Sequence, residues 1–193
     1  MLIVFCSYLI GSVPFAYIIS KIFSRVDIRV KGSGNVGATN VLRVVGPFAG
    51  ITVLLLDIFK GVLVVKIASL FIGGDFVYLA GLAVIVGHCW SPFLKFKGGK
   101  GVAATLGVLL AVEPVYLLYA VIVWLIVFLI FKIVSLASIA SVLFLPLALI
   151  FRGEDASVLI FIALYSGIII FRHKGNIVKL IRGEEQKIQF SKS

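Results

Sequence analysis

Acidic residues are scarce in this chain. Of 193 residues, eight are Asp or Glu against eighteen Lys or Arg, giving a net charge of +10. No close set of aspartates is available to hold a divalent cation. The chain has two cysteines, Cys6 and Cys89, near opposite ends of separate apolar runs, so neither a disulfide nor a metal site is expected. The two histidines and two cysteines show no zinc-type clustering, and no cofactor is expected. No Gly-x-Ser-x-Gly nucleophile elbow occurs. No histidine has an aspartate five positions later, the spacing associated with acyl-CoA-dependent glycerolipid acyltransferases. The basic region that opens a signal peptide is missing too. Apolar residues begin at Leu2 and the first lysine is Lys21, so the leading stretch reads as a retained helix. Internal repeats and low-complexity runs are also lacking, which leaves one domain, 1–183, and a polar tail, 184–193.

What is present is grease. Hydrophobic residues make up 62% of the chain and the mean hydropathy is +1.22. Soluble domains run at about 45–50% apolar, and a core of this size cannot hide the excess. The sequence therefore predicts an all-α integral membrane protein. In a soluble protein +10 would suggest nucleic acid. Here the basic residues flank apolar runs, so topology and anionic lipid explain them and no nucleic acid is expected.

Seven segments approach the length of a spanning helix: 2–22, 48–72, 76–93, 101–112, 115–131, 133–151 and 156–171. The fourth is short and ends at Glu113-Pro114. Charge settles how to count it. If all seven cross, one side carries Arg25, Arg29, Lys31, Arg43, Lys95, Lys97, Lys100, Lys132 and six more basic residues from Arg172 onward. The opposite connections hold one basic residue, Arg152, and four acidic ones. Without that crossing the bias is split. The positive-inside rule thus predicts a single bundle of seven helices, N-terminus outside and C-terminus cytoplasmic.

The polar residues gather in three cytoplasmic stretches. In "GSGNVGATNVLR", Gly32 to Arg43, glycines let successive N–H groups point into one concavity, an anion nest. Ser33, Asn35, Thr39 and Asn40 add neutral donors, and Arg43 can grip an oxyanion bidentately. An ordinary flexible loop has the same composition. In "FKGGKGVAAT", Phe96 to Thr105, Lys97, Lys100 and Gly98, Gly99 and Gly101 precede a helix N-terminus, where phosphate is favoured. Topology alone would require the lysines but not the glycines. In "FRHKGNIVKLIRG", Phe171 to Gly183, Arg172, His173 and Asn176 lie close together, and His173 can carry a proton near neutral pH. A lipid-binding basic patch reads the same way. Asp57 and Lys60, three apart in "LLLDIFKG", share a helix face and read as a structural ion pair. His88 in "GHCWSPF" reads as orienting a loop.

Together "GSGNVGATNVLR", "GHCWSPFLKFKGGKGVAAT" and "RHKGNI" resemble the three motifs of the bacterial acyl-phosphate:glycerol-3-phosphate acyltransferases, the PlsY family. "LLLDIFKG" and "VSLASI", Val134 to Ile139, resemble it too, and the likeness runs through the whole chain. The resemblance implies acyl transfer from acyl phosphate to the 1-hydroxyl of glycerol 3-phosphate, giving lysophosphatidic acid and inorganic phosphate. It implies a multi-pass monomer in the bacterial inner membrane, with its active site on the cytoplasmic face and membrane lipid as its surroundings.

Roles divide accordingly. The loop with Gly32, Ser33, Gly34, Asn35, Gly37, Thr39 and Asn40 is expected to hold the donor phosphoryl group. Arg43, Lys97, Lys100, Arg172, His173 and Asn176 are expected on glycerol 3-phosphate, with Ser138 orienting one substrate. Gly98, Gly99 and Gly101 are expected to bind phosphate, and backbone N–H groups with Lys100 are expected to stabilise the developing oxyanion. The hydroxyl proton goes to His173 or to the donor's own phosphate; the cationic surroundings favour the phosphate. A transporter of small phosphorylated anions is the rival reading. It would need a polar path through both halves of the membrane, and here the polar residues fall on one face.

Overall fold

Several segments are apolar around the whole helix rather than along one stripe, as suits helices that meet hydrocarbon on their outer side. The computed structural model describes residues 1–188. Among them every regular element is helical. The α-helices are α1 (Leu2–Gly11), α2 (Phe15–Ser24), α3 (Ala38–Val44), α4 (Pro47–Phe71), α5 (Phe76–Cys89), α6 (Val102–Val112), α7 (Pro114–Phe131), α8 (Val134–Arg152), α9 (Ala156–Arg172) and α10 (Lys174–Ile181). Five stretches are long and apolar enough to cross a bilayer: Leu2–Ser24, Pro47–Phe71, Phe76–Leu94, Pro114–Phe131 and Val134–Arg152. The pair α9 and α10, bent by 61°, passes the same test together and counts as a sixth if it is one span. The segment expected at 101–112 is a helix of 11 residues. At about 1.5 Å per residue it reaches about 16 Å, roughly half a hydrocarbon core.

The chain forms two units, Met1–Glu113 and Pro114–Ser193. In the first, the expected helix over 2–22 is broken at Ser12–Pro14. Proline has no N–H to continue the ladder. The break turns carbonyls outward, and two find partners elsewhere. Ser91 Oγ donates to Ser12 O at 2.6 Å, and Lys60 Nζ donates to Val13 O at 3.2 Å. Helices α4 and α6 cross through Gly61 and Gly107. A Cβ on Gly61 would come to 2.5 Å from the Ala104 carbonyl oxygen, so only glycine allows this approach.

One apolar cluster of this unit anchors both glycine-rich loops. Ala16 and Ile19 of α2, Ala49 and Val53 of α4, and Val41 of α3 pack with Ile28 and Val36 from the first loop and Leu94 from the second. The polar loops are thus pinned to one cluster by two buried side chains from the first region and one from the second.

In the second unit, α7 carries no charged residue over 18 positions. Its Trp124 Nε1–H donates to Ser138 Oγ of α8 at 3.1 Å. At the α8–α9 turn Tyr116 donates to Glu154 Oε1 at 2.6 Å and Arg152 Nε to the same oxygen at 3.2 Å. The Tyr116 hydroxyl, then Arg152, hold the Glu154 carboxyl below its ordinary range. The tail beyond α10 is hydrogen-bonded: Glu184 N–H reaches Lys179 O at 2.8 Å and Ile188 N–H reaches Lys132 O at 2.8 Å. The rest of the expected polar tail, 189–193, lies outside the described residues.

Candidate active site

The first loop is shaped by Asn40. Its side chain is buried at 1% exposure. Oδ1 accepts the Ser33 N–H at 2.9 Å, while Nδ2 lies within 3.2 Å of the carbonyls of Ile28, Lys31 and Asn35. Asn40, expected to touch phosphate, therefore holds the loop instead. Gly32 and Gly34 take positive φ, +59° and +70°, and a Cβ on Gly32 would strike the Asn40 amide. The expected nest is partly closed as well. Ser33 N–H is bound to Asn40, Gly34 N–H to Lys31 O at 3.0 Å, and Gly37 N–H to Asn35 O at 3.1 Å. Polar groups remain at the surface nonetheless. Ser33 is exposed, and Asn35, Thr39 and Arg43 are half-buried. Gly37 caps α3, whose first N–H groups, around Thr39, have no partner within the helix.

The second loop corrects another expectation. Gly98 N–H donates to Cys89 O at 3.1 Å and Gly99 N–H to His88 O at 3.0 Å. The last carbonyls of a helix lack intrahelical partners, and these two glycines supply them for α5. Both glycines are buried, wedged where a side chain would collide with the His88 backbone or ring. Their N–H groups serve the helix end rather than an anion. Lys97 is exposed and Lys100 half-buried, and Gly101, at φ +87°, caps α6. Just upstream, Lys95 and Phe96 both take positive φ, +52° and +60°. Two successive non-glycine residues in this region cost roughly 1–2 kcal/mol each. Strain of this kind concentrates at functional sites, and nothing in a Lys-Phe pair announces it.

The pair expected at Asp57 and Lys60 forms at 2.7 Å, each side chain 2% exposed. His88 joins it, with Nδ1 at 3.0 Å from Lys60 Nζ.

The third motif belongs to the second unit. His173 is buried, and its Nδ1 faces Ile169 O at 2.8 Å. A carbonyl only accepts, so Nδ1 carries a proton. Asn176 Nδ2 donates to Glu185 Oε1 at 2.6 Å, and Ser135 Oγ donates to the same oxygen at 2.7 Å. Glu185 was not among the expected site residues. Ser138 is buried; its hydroxyl donates to Val134 O at 2.9 Å and accepts from Trp124. Its one proton is thus engaged within its own helix. Arg172, half-buried, ends α9.

A family model described as glycerol-3-phosphate acyltransferase matches residues 1–183. The chain belongs to this family. The glycerol-3-phosphate acyltransferase of Thermosipho melanesiensis is 47% identical over 184 residues, 95% of this chain and 90% of the relative. That of Endomicrobium trichonymphae is 44% identical over 194 residues, 100% of this chain and 97% of the relative. A crystal structure of PlsY (YgiH), an integral membrane glycerol 3-phosphate acyltransferase in its glycerol 3-phosphate form, matches with a TM-score of 0.92 at 41% identity. The match covers 97% of this chain and 94% of that one. The lysophosphatidic acid form matches at 0.89 and 40%, with the same coverage. The protein is an acyltransferase and a multi-pass integral membrane protein.

Proposed function

We propose that this protein transfers an acyl group from acyl phosphate to the 1-hydroxyl of glycerol 3-phosphate, releasing lysophosphatidic acid and inorganic phosphate. One observation carries the reading. Near-complete likeness to PlsY, solved in a glycerol 3-phosphate form and a lysophosphatidic acid form, coincides with polar and basic side chains at Ser33, Asn35, Thr39, Arg43, Lys97 and Lys100 around the glycine-rich loops. The glycerol hydroxyl oxygen attacks the acyl carbonyl carbon, and the bond from that carbon to the phosphate oxygen breaks. The departing phosphate keeps the electron pair and takes the hydroxyl proton. A mixed anhydride is already activated, so no covalent enzyme intermediate is needed.

Each phosphate carries about −1.5 to −2 charges near neutrality. In the first unit, Ser33, Asn35, Thr39 and the start of α3 receive the donor phosphoryl group, while Arg43 and Lys97 bind the acceptor phosphate. Lys100 stabilises the oxyanion. Gly32, Gly34, Gly37 and Asn40 act through loop shape, as do Gly98, Gly99 and Gly101. In the second unit, Arg172, His173 and Asn176 bind glycerol 3-phosphate, and Ser138 keeps its helix pair in place. The charge asymmetry supports seven spans in the bacterial inner membrane, the N-terminus outside and the chemistry at the cytoplasmic edge. The close α4–α6 crossing at Gly61 and Gly107 supports α6 as an embedded helix despite its length. The protein works as a monomer amid membrane lipid.

The test is incubation of the purified protein with palmitoyl phosphate and glycerol 3-phosphate. Phosphate should be released in step with lysophosphatidic acid. Product formation only from acyl-CoA, or none from either donor, overturns the reading.

A further inference from the structure

None of Asp57, Lys60 and His88 was expected to meet substrate, yet the buried group is expensive. Ionisable side chains at membrane depth are retained for a function or a partner, and a buried ion pair is often no more stabilising than apolar residues of the same volume. Its geometry bears on where the histidine proton sits. A lysine ammonium has three N–H donors and no acceptor. Around Lys60 Nζ stand three acceptors: Asp57 Oδ1 at 2.7 Å, His88 Nδ1 at 3.0 Å and Val13 O at 3.2 Å. Phe15 offers a ring face 5.5 Å away. Asp57 Oδ1 faces the ammonium as an ion pair; an ammonium cannot accept, so His88 Nδ1 accepts from it. The alternative, an imidazolium bonded to Asp57, has a longer distance of 3.4 Å. It would also put two cations 3.0 Å apart beside one carboxylate. An imidazole that accepts at Nδ1 carries its proton on Nε2.

That second nitrogen faces the seam between the two glycine-rich loops. A Cβ built on Gly99 would strike His88 Nε2, and would lie 2.6 Å from the carbonyl oxygen of Val36. Val36 belongs to the first loop. Gly99 belongs to the second and immediately precedes Lys100. Asp57, His88, Ser12, Ser91, Val36 and Gly99 also line one small cleft beside the α1–α2 break. The imidazole is wedged between a fixed ion pair and two loop backbones.

We propose that His88 is a positioning residue for acyl transfer: Asp57 and Lys60 hold its imidazole as the Nε2–H tautomer, and the ring sets the spacing between Val36 and Gly99, and with it the place of Lys100. This rests on the reaction proposed above. Sub-ångström placement matters there, because a misplacement of about 1 Å can cost about 10²-fold in rate.

Two variants separate positioning from filling space. Gln at 88 keeps an N–H near the Nε2 position, while Asn keeps an oxygen for Lys60 near Nδ1 but falls short of the seam. His88→Gln should keep kcat within about tenfold of the parent, and His88→Asn should lose about 10²-fold in kcat, with KM for glycerol 3-phosphate moving less than kcat. Equal losses, or His88→Asn the better enzyme, overturn the proposal. A direct measurement covers failure of either variant to fold. The chain has two histidines, so the full-length wild-type protein labelled with 15N-histidine gives two imidazole patterns, assigned by a His173→Gln sample. His88 should show a bare Nδ1 and a protonated Nε2; a proton on Nδ1 overturns the proposal. A wild-type protein inactive with acyl phosphate but showing that tautomer overturns the reaction while leaving the proton assignment intact.

Discussion

Asn176 donates its amide to Glu185 Oε1 at 2.6 Å, so a carboxylate sits on a side chain proposed to meet glycerol 3-phosphate. Glu185 accepts from Ser135 as well, at 2.7 Å. An acceptor phosphate must compete with this carboxylate for the amide and is repelled by its charge. Glu185→Ala should therefore lower KM for glycerol 3-phosphate. One net hydrogen bond of about 0.5–1.5 kcal/mol corresponds to a drop of about 2- to 10-fold, with kcat nearly unchanged. Steady-state kinetics across glycerol 3-phosphate concentration read it. A raised KM would mean instead that Glu185 orients Asn176 for the substrate.

Asn40 offers a sharper contrast, because its oxygen and nitrogen do opposite jobs. Asn40→Ala leaves the Ser33 N–H and the carbonyls of Ile28, Lys31 and Asn35 without their side-chain partner. Each buried group left unmade costs about 1–3 kcal/mol. Asn40→Asp keeps the size but aims a second oxygen at three carbonyl oxygens. The aspartate variant should melt lower than the alanine variant by scanning fluorimetry in detergent, and both should lose turnover. Equal melting temperatures would show that the amide nitrogen contributes little.

The membrane class is legible because composition alone exceeds what a soluble core can bury. The loops are legible because glycine, asparagine and lysine among apolar runs have few other reasons to be there. The Asp57–Lys60 pair follows from helical spacing. What the sequence hides is direction. Gly98 and Gly99 read as part of a phosphate site before a helix N-terminus, and only the position of the α5 carbonyls shows them to be caps. Asn40 looks like a surface donor until the loop folds over it. His88 meets Lys60 from another helix, 28 residues away, where no periodicity reaches. Lys95 and Phe96 hold left-handed backbone that a glycine would have signalled.

Asp27 gives a pH signature. Its carboxylate accepts Arg29 N–H at 3.1 Å and pairs with the guanidinium at 3.0 and 2.7 Å. The Arg29 hydrogen bonds lower its pKa to about 2. The free value is about 3.9. A depressed carboxyl contributes stability that is fully present above the unfolded pKa and is lost as pH falls through the folded one. The melting advantage of wild type over Asp27→Asn should be level from neutrality down to about pH 5, then shrink between about pH 4 and pH 2. Because the pair is exposed, added salt should shrink it too. A difference that grows on acidification would contradict the pairing.

Leu94 tests whether the two loops share one foundation. It is buried in the cluster that also holds Val36 and Ile28, and Leu→Ala in such a place costs about 2–5 kcal/mol. Leu94→Ala should lower the melting temperature and raise KM for both substrates, because both loops lose a common support. An effect on one substrate alone would mean that the loops are anchored separately.

The proton acceptor can be separated by rate against pH. His173 holds its Nδ1 proton toward Ile169 O, so only Nε2 could receive the glycerol proton. If the donor phosphate accepts instead, His173→Ala loses binding and orientation but keeps a measurable rate. The basic limb of its pH profile should stay where the wild type has it. A general base typically contributes about 10² to 10⁴-fold, and its removal takes the corresponding limb away with it. Complete loss of activity together with that limb in His173→Ala would assign the proton to the histidine. Retention of both, with a raised KM for glycerol 3-phosphate, leaves the phosphate as the base and His173 as a donor to the substrate.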